Sequence, residues 1–254
     1  MSQPAVFLAH GSPMNALHKT PFVDDWQQFL PATAPRAILC VSAHWETAGT
    51  FITANPAPPT IHDFSGFPRA LYQLQYPCPG APELAAHICE RHNNIQPSLD
   101  WGLDHGAWSL LLHLYPDADI PVLQLSLDKH SSPQQIVELG QSLQWLRDEG
   151  VLLLGSGNIV HNIQQWLQNP NGPFDWAQTF DEAVADALSQ RDFKTIAHYP
   201  ALPGANLAVP SAEHYLPLLF IAGASRRDDQ LRMTNYPALS IEHCSMRSLS
   251  FSSK

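Results

Sequence analysis

The sequence has few cysteines, and they form no metal-binding or disulfide pattern. No CxxC pair and no regular spacing occurs among the four, which are Cys40, Cys78, Cys89 and Cys244. The chain also lacks an apolar stretch long enough to span a bilayer, and no basic segment followed by an apolar run opens it. We therefore expect a reduced, cytoplasmic protein without a membrane anchor, in a compartment where ferrous iron persists.

Charge is also scarce. Charged residues make up 14% of the chain, no run of like charges occurs, and the formal net charge is −10. Nucleic acids and acidic membrane surfaces select for clustered Lys and Arg, so neither is an expected partner. We interpret the acidity as ordinary surface solubility. The sequence does not predict the oligomeric state.

What the chain does contain is an alternation of apolar strands and helices. With 254 residues, 44% of them apolar, it can bury one sizeable core. Strands are predicted at residues 5–9, 37–43, 50–54, 120–127 and 151–154, and within 234–251. Helices are predicted at residues 21–30, 82–91, 105–115, 133–149, 159–167, 176–189 and 211–224. This order predicts an α/β fold: a mainly parallel, mixed-edge sheet flanked by helices, in a single domain over residues 1–254.

Histidine is abundant, with thirteen residues, as many as Lys and Arg together. Two histidines follow apolar strands, His10 after residues 5–9 and His44 after residues 37–43. The carboxyl ends of strands in an open α/β sheet face the ligand crevice, and histidine is the commonest metal ligand. A single histidine at the end of a strand would be interpreted as a polar residue that meets solvent. The two together predict a metal site.

A second pair of histidines shares a different offset. His161 stands three residues after Asn158, and His214 three residues after Ser211. Asn and Ser are favoured helix N-caps, so both rings are predicted in the first turn of a helix, where the dipole disfavours the imidazolium. A neutral ring can bind a metal. The alternative is a local contact resembling a capping box.

His105 is the fifth candidate, and it has an aspartate beside it. Asp104 either orients the His105 ring for acid–base work or caps a helix. A Pro- and aromatic-rich loop at residues 55–82 is a candidate substrate wall. Its side chains of interest, together with Trp45, are His62, Phe64, Phe67, Tyr72 and Tyr76.

Seven ordered motifs extend this pattern over nearly the whole chain. They are 10–15 (HGSPMN), 42–45 (SAHW), 59–64 (PTIHDF), 104–106 (DHG), 115–122 (YPDADIPV), 155–162 (GSGNIVHN) and 213–219 (EHYLPLL). Together they resemble the DOPA 4,5-dioxygenase family of the class III (LigB-like) extradiol ring-cleavage dioxygenases. The resemblance runs from Phe7 to about Phe251.

The resemblance implies a LigB-like α/β fold, a single non-haem metal, and catechol and O2 as substrates. The metal would be Fe(II) for activity, although Zn(II) can occupy such a site. His10, His44 and His214 would be metal ligands. His161 would be a fourth ligand or the acid–base group beside the metal, and His105 would support a ligand or contact the substrate.

The sequence departs from the wider class in one respect and leaves other functions open. The metal site of the wider class resembles a set of two histidines and one carboxylate. Here the third candidate ligand is a histidine, His214, and the carboxylates Glu213 and Glu46 lie close to candidate ligands in sequence. An all-histidine set resembles a zinc site, so a zinc hydrolase with either glutamate as base is one alternative. A non-enzymatic metal-binding interaction protein on the same fold is another, and a metal-inserting chelatase is a third.

Overall fold

A computed structural model describes residues 2–170, 172, 174–234 and 244–253. Within these residues the strands are β1 (Ala5–Ala9), β2 (Ala37–Thr47), β3 (Thr50–Thr53), β4 (Ile95–Ser98), β5 (Val122–Asp128), β6 (Val151–Gly157), β7 (Gln230–Met233) and β8 (Leu249–Ser252). All belong to one sheet in the order β4-β3-β5-β2-β6-β1-β8-β7. The single sheet accounts for the predicted α/β domain.

The middle of the sheet is parallel and its edges are mixed, as predicted. Strands β5, β2, β6 and β1 pair in parallel, and these apolar runs are buried on both faces. Near-continuous apolar strands are typical of parallel sheets covered by helices on both sides. Strands β3 and β8 add in the antiparallel direction on either side of this centre.

The helices of the described chain cover both faces. They are α1 (Pro21–Trp26), α2 (Arg69–Tyr72), α3 (Pro82–Arg91), α4 (His105–Leu114), α5 (Pro133–Leu143), α6 (Ile163–Gln168), α7 (Asp175–Ser189), α8 (Phe193–Ala197), α9 (Ala205–Ala208) and α10 (Leu216–Ala224). None of them is long and apolar enough to cross a membrane. Helices α1 and α4 pack on one face of the sheet, and α3, α5, α7 and α10 on the other.

Two helices begin later than the sequence predicts. Helix α6 begins at Ile163 with Asn162 as its cap, not after Asn158. Residues 158–161 instead pair with other segments, since the N–H of His161 bonds the Ala208 carbonyl and the Val160 carbonyl accepts the N–H of Ser245. Backbone groups bonded in this way are not available to a helix.

Helix α10 begins at Leu216, beyond the predicted start at residue 211. Pro217 lies in its first turn, a position that proline favours because its missing N–H has no helical partner there. The N–H groups of Tyr215 and Leu216 both bond the Ala212 carbonyl. Residues 212–215 therefore form a turn that leads into the helix.

The strands also differ from the prediction at their limits. Strand β2 extends to Thr47, so His44 lies inside it, and β4 and β7 were not predicted. Of the predicted strand region 234–251, residues 235–243 lie outside the described residues, and β8 accounts for its end.

Candidate metal centre

Three neighbouring parallel strands, β2, β6 and β1, end together at one edge of the sheet. The connection from β1 to β2 runs through α1 on one face, whereas β5 connects to β6 through α5 on the other. A crevice opens at the carboxyl ends of strands where connections diverge in this way. His10 directly follows β1, and His44 lies in β2 beyond its last pair with β6, Ser42 with Ser156.

The His10 ring is held by a hydroxyl group that decides which ring nitrogen carries a proton. Ser156 Oγ donates to the Gly106 carbonyl at 2.6 Å and lies 2.9 Å from His10 Nδ1. Because the hydroxyl has only one proton, His10 Nδ1–H must donate to Ser156 Oγ. His10 Nε2 is then unprotonated and available for coordination. The turn after the ring needs Gly11, whose φ is +60°.

His10 Nε2 faces His44 Nε2 at a distance of 3.2 Å. Two imidazole nitrogens, each about 2.1 Å from one cation, lie about this far apart when they subtend roughly 90–110° at it. Burial, followed by the positive charge of neighbouring histidines, holds the pKa of both rings well below the ordinary value. Both rings are therefore neutral at pH 7, and the pair fits two ligands of one cation.

His214 is brought to the same place by its backbone. Its carbonyl accepts the N–H of Asn158 at 2.8 Å, and a Cβ at Gly157 would lie only 2.2 Å from that oxygen. The ring centre of His214 is 5.3 Å from that of His10 and 5.0 Å from that of His44, which are themselves 5.1 Å apart. These near-equal separations place the three rings around one point, while the ligand nitrogen within 4.8 Å of those of both His10 and His44 belongs to His105.

Glu213 holds the His214 ring from behind. Its Oε1 lies 3.0 Å from His214 Nδ1 and accepts the Ser211 hydroxyl at 2.9 Å. Burial alone would raise the pKa of Glu213, but the hydrogen bond and charge of His214 outweigh it and lower the pKa to about 2. An ionised carboxylate on Nδ1 directs Nε2 toward the cation. Glu213 is thus engaged, and it is not the free base that a zinc hydrolase would need.

His161 stacks on His214, with ring centres 3.6 Å apart and ring planes 8° from parallel. Two rings stacked face to face do not aim their lone pairs at one point, so this arrangement favours an acid–base role over a fourth ligand position. Burial is the main cause that lowers the pKa of His161 to about 3. The predicted helix-dipole position is wrong for both rings, since each precedes its helix.

His105 is oriented by a carboxylate that sequence reasoning did not select. Asp63 accepts both the backbone N–H of His105, at 2.8 Å, and its Nδ1–H, at 2.9 Å, and it lies 3.3 Å from His44 Nδ1. Burial opposes ionisation of Asp63, but the contacts with His105 outweigh it and lower the pKa. Asp104 is fully buried and caps α4 through the N–H of Ala107. Of the two roles considered for Asp104, the structure shows the cap.

The ligand atoms of the described residues form two groups, each within 4.8 Å. One contains His10, His44 and His105, and the other contains His161, Glu213 and His214. His214 connects the two groups, because its ring centre lies 5.3 Å from that of His10 and 5.0 Å from that of His44. All five predicted site histidines therefore lie together in space.

A cavity of about 420 Å³ opens over these rings. Its volume is in the range typical of small-molecule sites. Besides the five histidines, its walls are formed by Gly11, Ser12, Pro13, Met14, Phe64, Phe67, Ile163, Trp166 and Cys244. A flat aromatic ring can enter it beside the nitrogen atoms.

Only part of the predicted aromatic wall lines this cavity. Phe64 and Phe67 do. Tyr76 is buried with its hydroxyl donated to the Tyr115 carbonyl, and Trp45 stacks on Trp101. His62 Nε2 bonds the Leu74 carbonyl, so this ring holds the loop together and does not line the cavity.

Comparison with known proteins identifies the family. A family model described as the catalytic LigB subunit of aromatic ring-opening dioxygenase matches residues 4–246. The chain belongs to the LigB family. A curated LigB-type relative from Escherichia coli (strain K12), named 4,5-DOPA dioxygenase extradiol, is 45% identical over 230 residues, covering 87% of this chain and 84% of its own. A protein of the same name from Beta vulgaris is 37% identical over 237 residues, covering 89% and 88%.

A solved structure agrees with the LigB assignment. The crystal structure of an uncharacterized protein from Escherichia coli K12 matches with a TM-score of 0.81 at 38% identity, covering 98% of this chain and 99% of that one. This LigB-family chain is an extradiol ring-opening dioxygenase. The family and activity expected from the motifs are confirmed, and the hydrolase and interaction-protein alternatives are not favoured.

Proposed function

We propose that the protein opens the ring of catechols with O2, using one Fe(II) held by His10, His44 and His214. The observation that carries this proposal is the triangle of ring centres at 5.0–5.3 Å. It lies at the floor of a cavity wide enough for an aromatic ring. Iron held by these three residues would supply the electron transfer between the catechol and O2.

The chain's own residues set up this reaction by fixing proton positions. Ser156 keeps the proton of His10 on Nδ1, and Glu213 does the same for His214. Each contact leaves Nε2 without the proton and available to bind a cation. Because the rings are held by buried partners, little reorganisation is needed when substrate enters.

His161 and His105 are the proposed acid–base groups. Both line the cavity, where each can take a proton from a catechol hydroxyl that enters beside it. His161 would donate this proton as the O–O bond is cleaved during ring opening, so one group serves as base and then as acid. His105 is oriented by Asp63, whose Oδ2 lies 2.9 Å from His105 Nδ1.

We propose that Fe(II) is the active metal and that the protein works in the cytoplasm. Zn(II) is an expected competitor because three imidazoles suit it equally well. The four cysteines, all among the described residues, form no disulfide, which supports a reducing compartment.

The test is an anaerobic reconstitution followed by exposure to air. Protein loaded with one equivalent of Fe(II) is mixed with a panel of catechols that includes DOPA, the compound for which the relatives are named. We expect O2 uptake, and a ring-opened product with new visible absorbance whose mass exceeds that of the substrate by two oxygen atoms. The Zn(II)-loaded protein should give neither. Absence of ring opening over the whole panel would contradict the proposal.

A further inference from the structure

Residues 244–248, which we call the clasp, contact the backbone that carries His161. The N–H of Ser245 bonds the Val160 carbonyl, and the Ser245 carbonyl accepts the side-chain amide of Asn158, each at 3.0 Å. Val160 directly precedes His161 in the chain, and Asn158 stands three residues before it. The clasp therefore holds the irregular segment that leads into His161, both by its backbone and by a side chain.

The clasp also contacts the turn that carries His10. Its Ser248 hydroxyl accepts the N–H of Ala9, the residue before His10, at 3.0 Å. Its Met246 packs against Gly11, the residue after His10, so closely that a Cβ at Gly11 would lie 2.8 Å from the Met246 sulfur. One short piece of chain therefore joins the backbone around a proposed metal ligand to the backbone around the proposed acid–base group.

The clasp is anchored by a carboxylate from a helix that does not line the cavity. Asp181 lies in α7 and is fully buried. It accepts the Ser245 hydroxyl and two nitrogens of the Arg247 guanidinium, Nε at 2.7 Å and Nη2 at 2.6 Å. The backbone N–H of Arg247 in turn bonds Ser245 Oγ at 3.3 Å. Because a buried charge depends on its partners, the Asp181 carboxylate determines how two residues of the clasp are held.

A second buried ion pair of the same kind lies at the other end of the sheet. Arg147 binds Asp229 through two nitrogens, at 2.7 and 2.9 Å, and both side chains are buried. Arg147 also donates to the carbonyls of Gln3 and Phe251. Gln3 precedes β1, whereas the centre lies beyond the carboxyl end of β1. The two pairs are therefore anchors of equal chemistry, one connected to the centre and one remote from it.

We infer that Asp181 is a positioning residue for ring opening, because it holds the clasp through Arg247 and Ser245. The clasp in turn fixes the position of His161 relative to His10. This role rests on the proposed function, since it takes His161 as the acid–base group beside the metal. The pairing of β1 with β6 and β8 holds His10 independently, so loss of the anchor should displace His161 and leave the metal bound.

The first test compares Asp181→Asn with Asp229→Asn on the Fe(II)-loaded protein. Both variants keep the size of the side chain and leave a buried arginine without its counterion, so both should lower the melting temperature. We expect Asp181→Asn to lower kcat by about 10- to 100-fold, the usual cost of a small displacement of a reacting group, with the bound iron retained. Asp229→Asn should leave kcat nearly unchanged. Both are assayed well below their melting temperatures.

The second test asks whether Asp181 acts through His161. Asp181→Asn is combined with His161→Phe, and kcat of the double variant is compared with kcat of each single variant. Since His161→Phe already removes the group that the clasp positions, we expect Asp181→Asn to lower kcat no further in that background. A loss of stability alone would lower kcat equally in both backgrounds.

The third test does not depend on catalysis. The Zn(II)-loaded protein is prepared with isotopically labelled histidine, and its ring resonances are recorded by NMR. The resonances of His161 are identified by their absence from the spectrum of His161→Phe. We expect them to shift in Asp181→Asn and to stay in place in Asp229→Asn, because only the first variant releases the clasp.

The possible results separate this role from the proposed function. Equal losses of kcat in the two asparagine variants, or an undiminished loss in the His161→Phe background, overturn the role of Asp181. If Asp181→Asn does not fold, Ser245→Ala replaces it as the milder variant, and unchanged kcat and unchanged His161 resonances in Ser245→Ala overturn the role as well. A shift of the His161 resonances in a protein that opens no catechol ring overturns the proposed function and supports the clasp.

Discussion

The centre is assembled from two regions that are built differently. His10 directly follows β1 and His44 lies near the end of β2, and both strands pair in parallel with β6 between them, so the register of the sheet sets the separation of the two histidines. His161 and His214 lie in irregular segments, and their positions depend on backbone hydrogen bonds to distant parts of the chain, such as the Ala208 carbonyl and the N–H of Asn158. The first region is fixed by secondary structure and the second by tertiary contacts.

The two regions also differ in what stands behind their rings. A neutral hydroxyl, Ser156, supports His10, whereas a carboxylate, Glu213, supports His214. A carboxylate makes the ring a stronger donor to a cation than a hydroxyl does. In the irregular region, where no strand register positions the ring, His214 is therefore held by a charge-assisted contact.

The largest expected effect tests whether the two regions share one cation. His44→Ala and His214→Ala should each abolish tight binding of the metal, since each variant removes one of its three proposed ligands. His105→Ala and His161→Ala should still bind one equivalent. Zn(II) titration by calorimetry, with metal content measured after dialysis, gives the stoichiometry. Two equivalents per unmodified chain, with only one lost in His214→Ala, would show that each region holds its own ion.

The next effect concerns His161, which we place in proton transfer and not in coordination. His161→Ala should lower kcat by about 10²–10⁴-fold, the usual contribution of a general acid–base group, while the bound metal is retained. His161→Phe is the matched control because it keeps a flat ring stacked on His214 without a titratable nitrogen. If the phenylalanine variant recovered activity, the role of His161 would be packing.

The smallest expected effect compares the two supporting carboxylates. Glu213→Gln should weaken metal affinity by roughly 10–100-fold, the typical cost of losing a partner behind a ligand. Asp63→Asn should act mainly on turnover, because its closest ring contact, at 2.9 Å, is with His105. Metal affinity and kcat are measured for both variants. If both variants changed metal affinity and kcat in the same way, Asp63 and Glu213 would not have separate roles at different histidines.

The parts of the molecule that could be predicted are those with a local signal. The apolar runs at β1, β2 and β6 and the capping residues of α4 and α5 predicted the first residue of each of these elements as observed, whereas the ends of β2, β6 and α5 differ from the prediction. His10 and His44 could be found because a histidine after an apolar run is visible in the sequence alone. The helix start assigned to Asn158 was wrong because the competing contacts come from remote segments, whereas the start assigned to Ser211 was wrong because residues 212–215 form a local turn.

Asp63 shows why the rest could not be predicted. It lies in a loop 42 residues before its partner His105, and nothing near either residue in sequence indicates the contact. Asp104 was the nearer aspartate, yet it is bound to Ser42, Gln124 and the start of α4. Sequence proximity favoured the wrong carboxylate, and only the path of the 55–82 loop brings the right one to the ring.

The position of β1 in the sheet has a consequence for how the enzyme is made. The first strand of the chain pairs on one side with β6 and on the other with β8, and the N–H of Ala9 bonds the hydroxyl of Ser248. On a ribosome, His10 emerges long before either neighbour exists. The strand that leads into His10 cannot be completed until β6 and β8 have both been synthesised, so the site forms late, and the nascent chain must keep this apolar strand from aggregating until then.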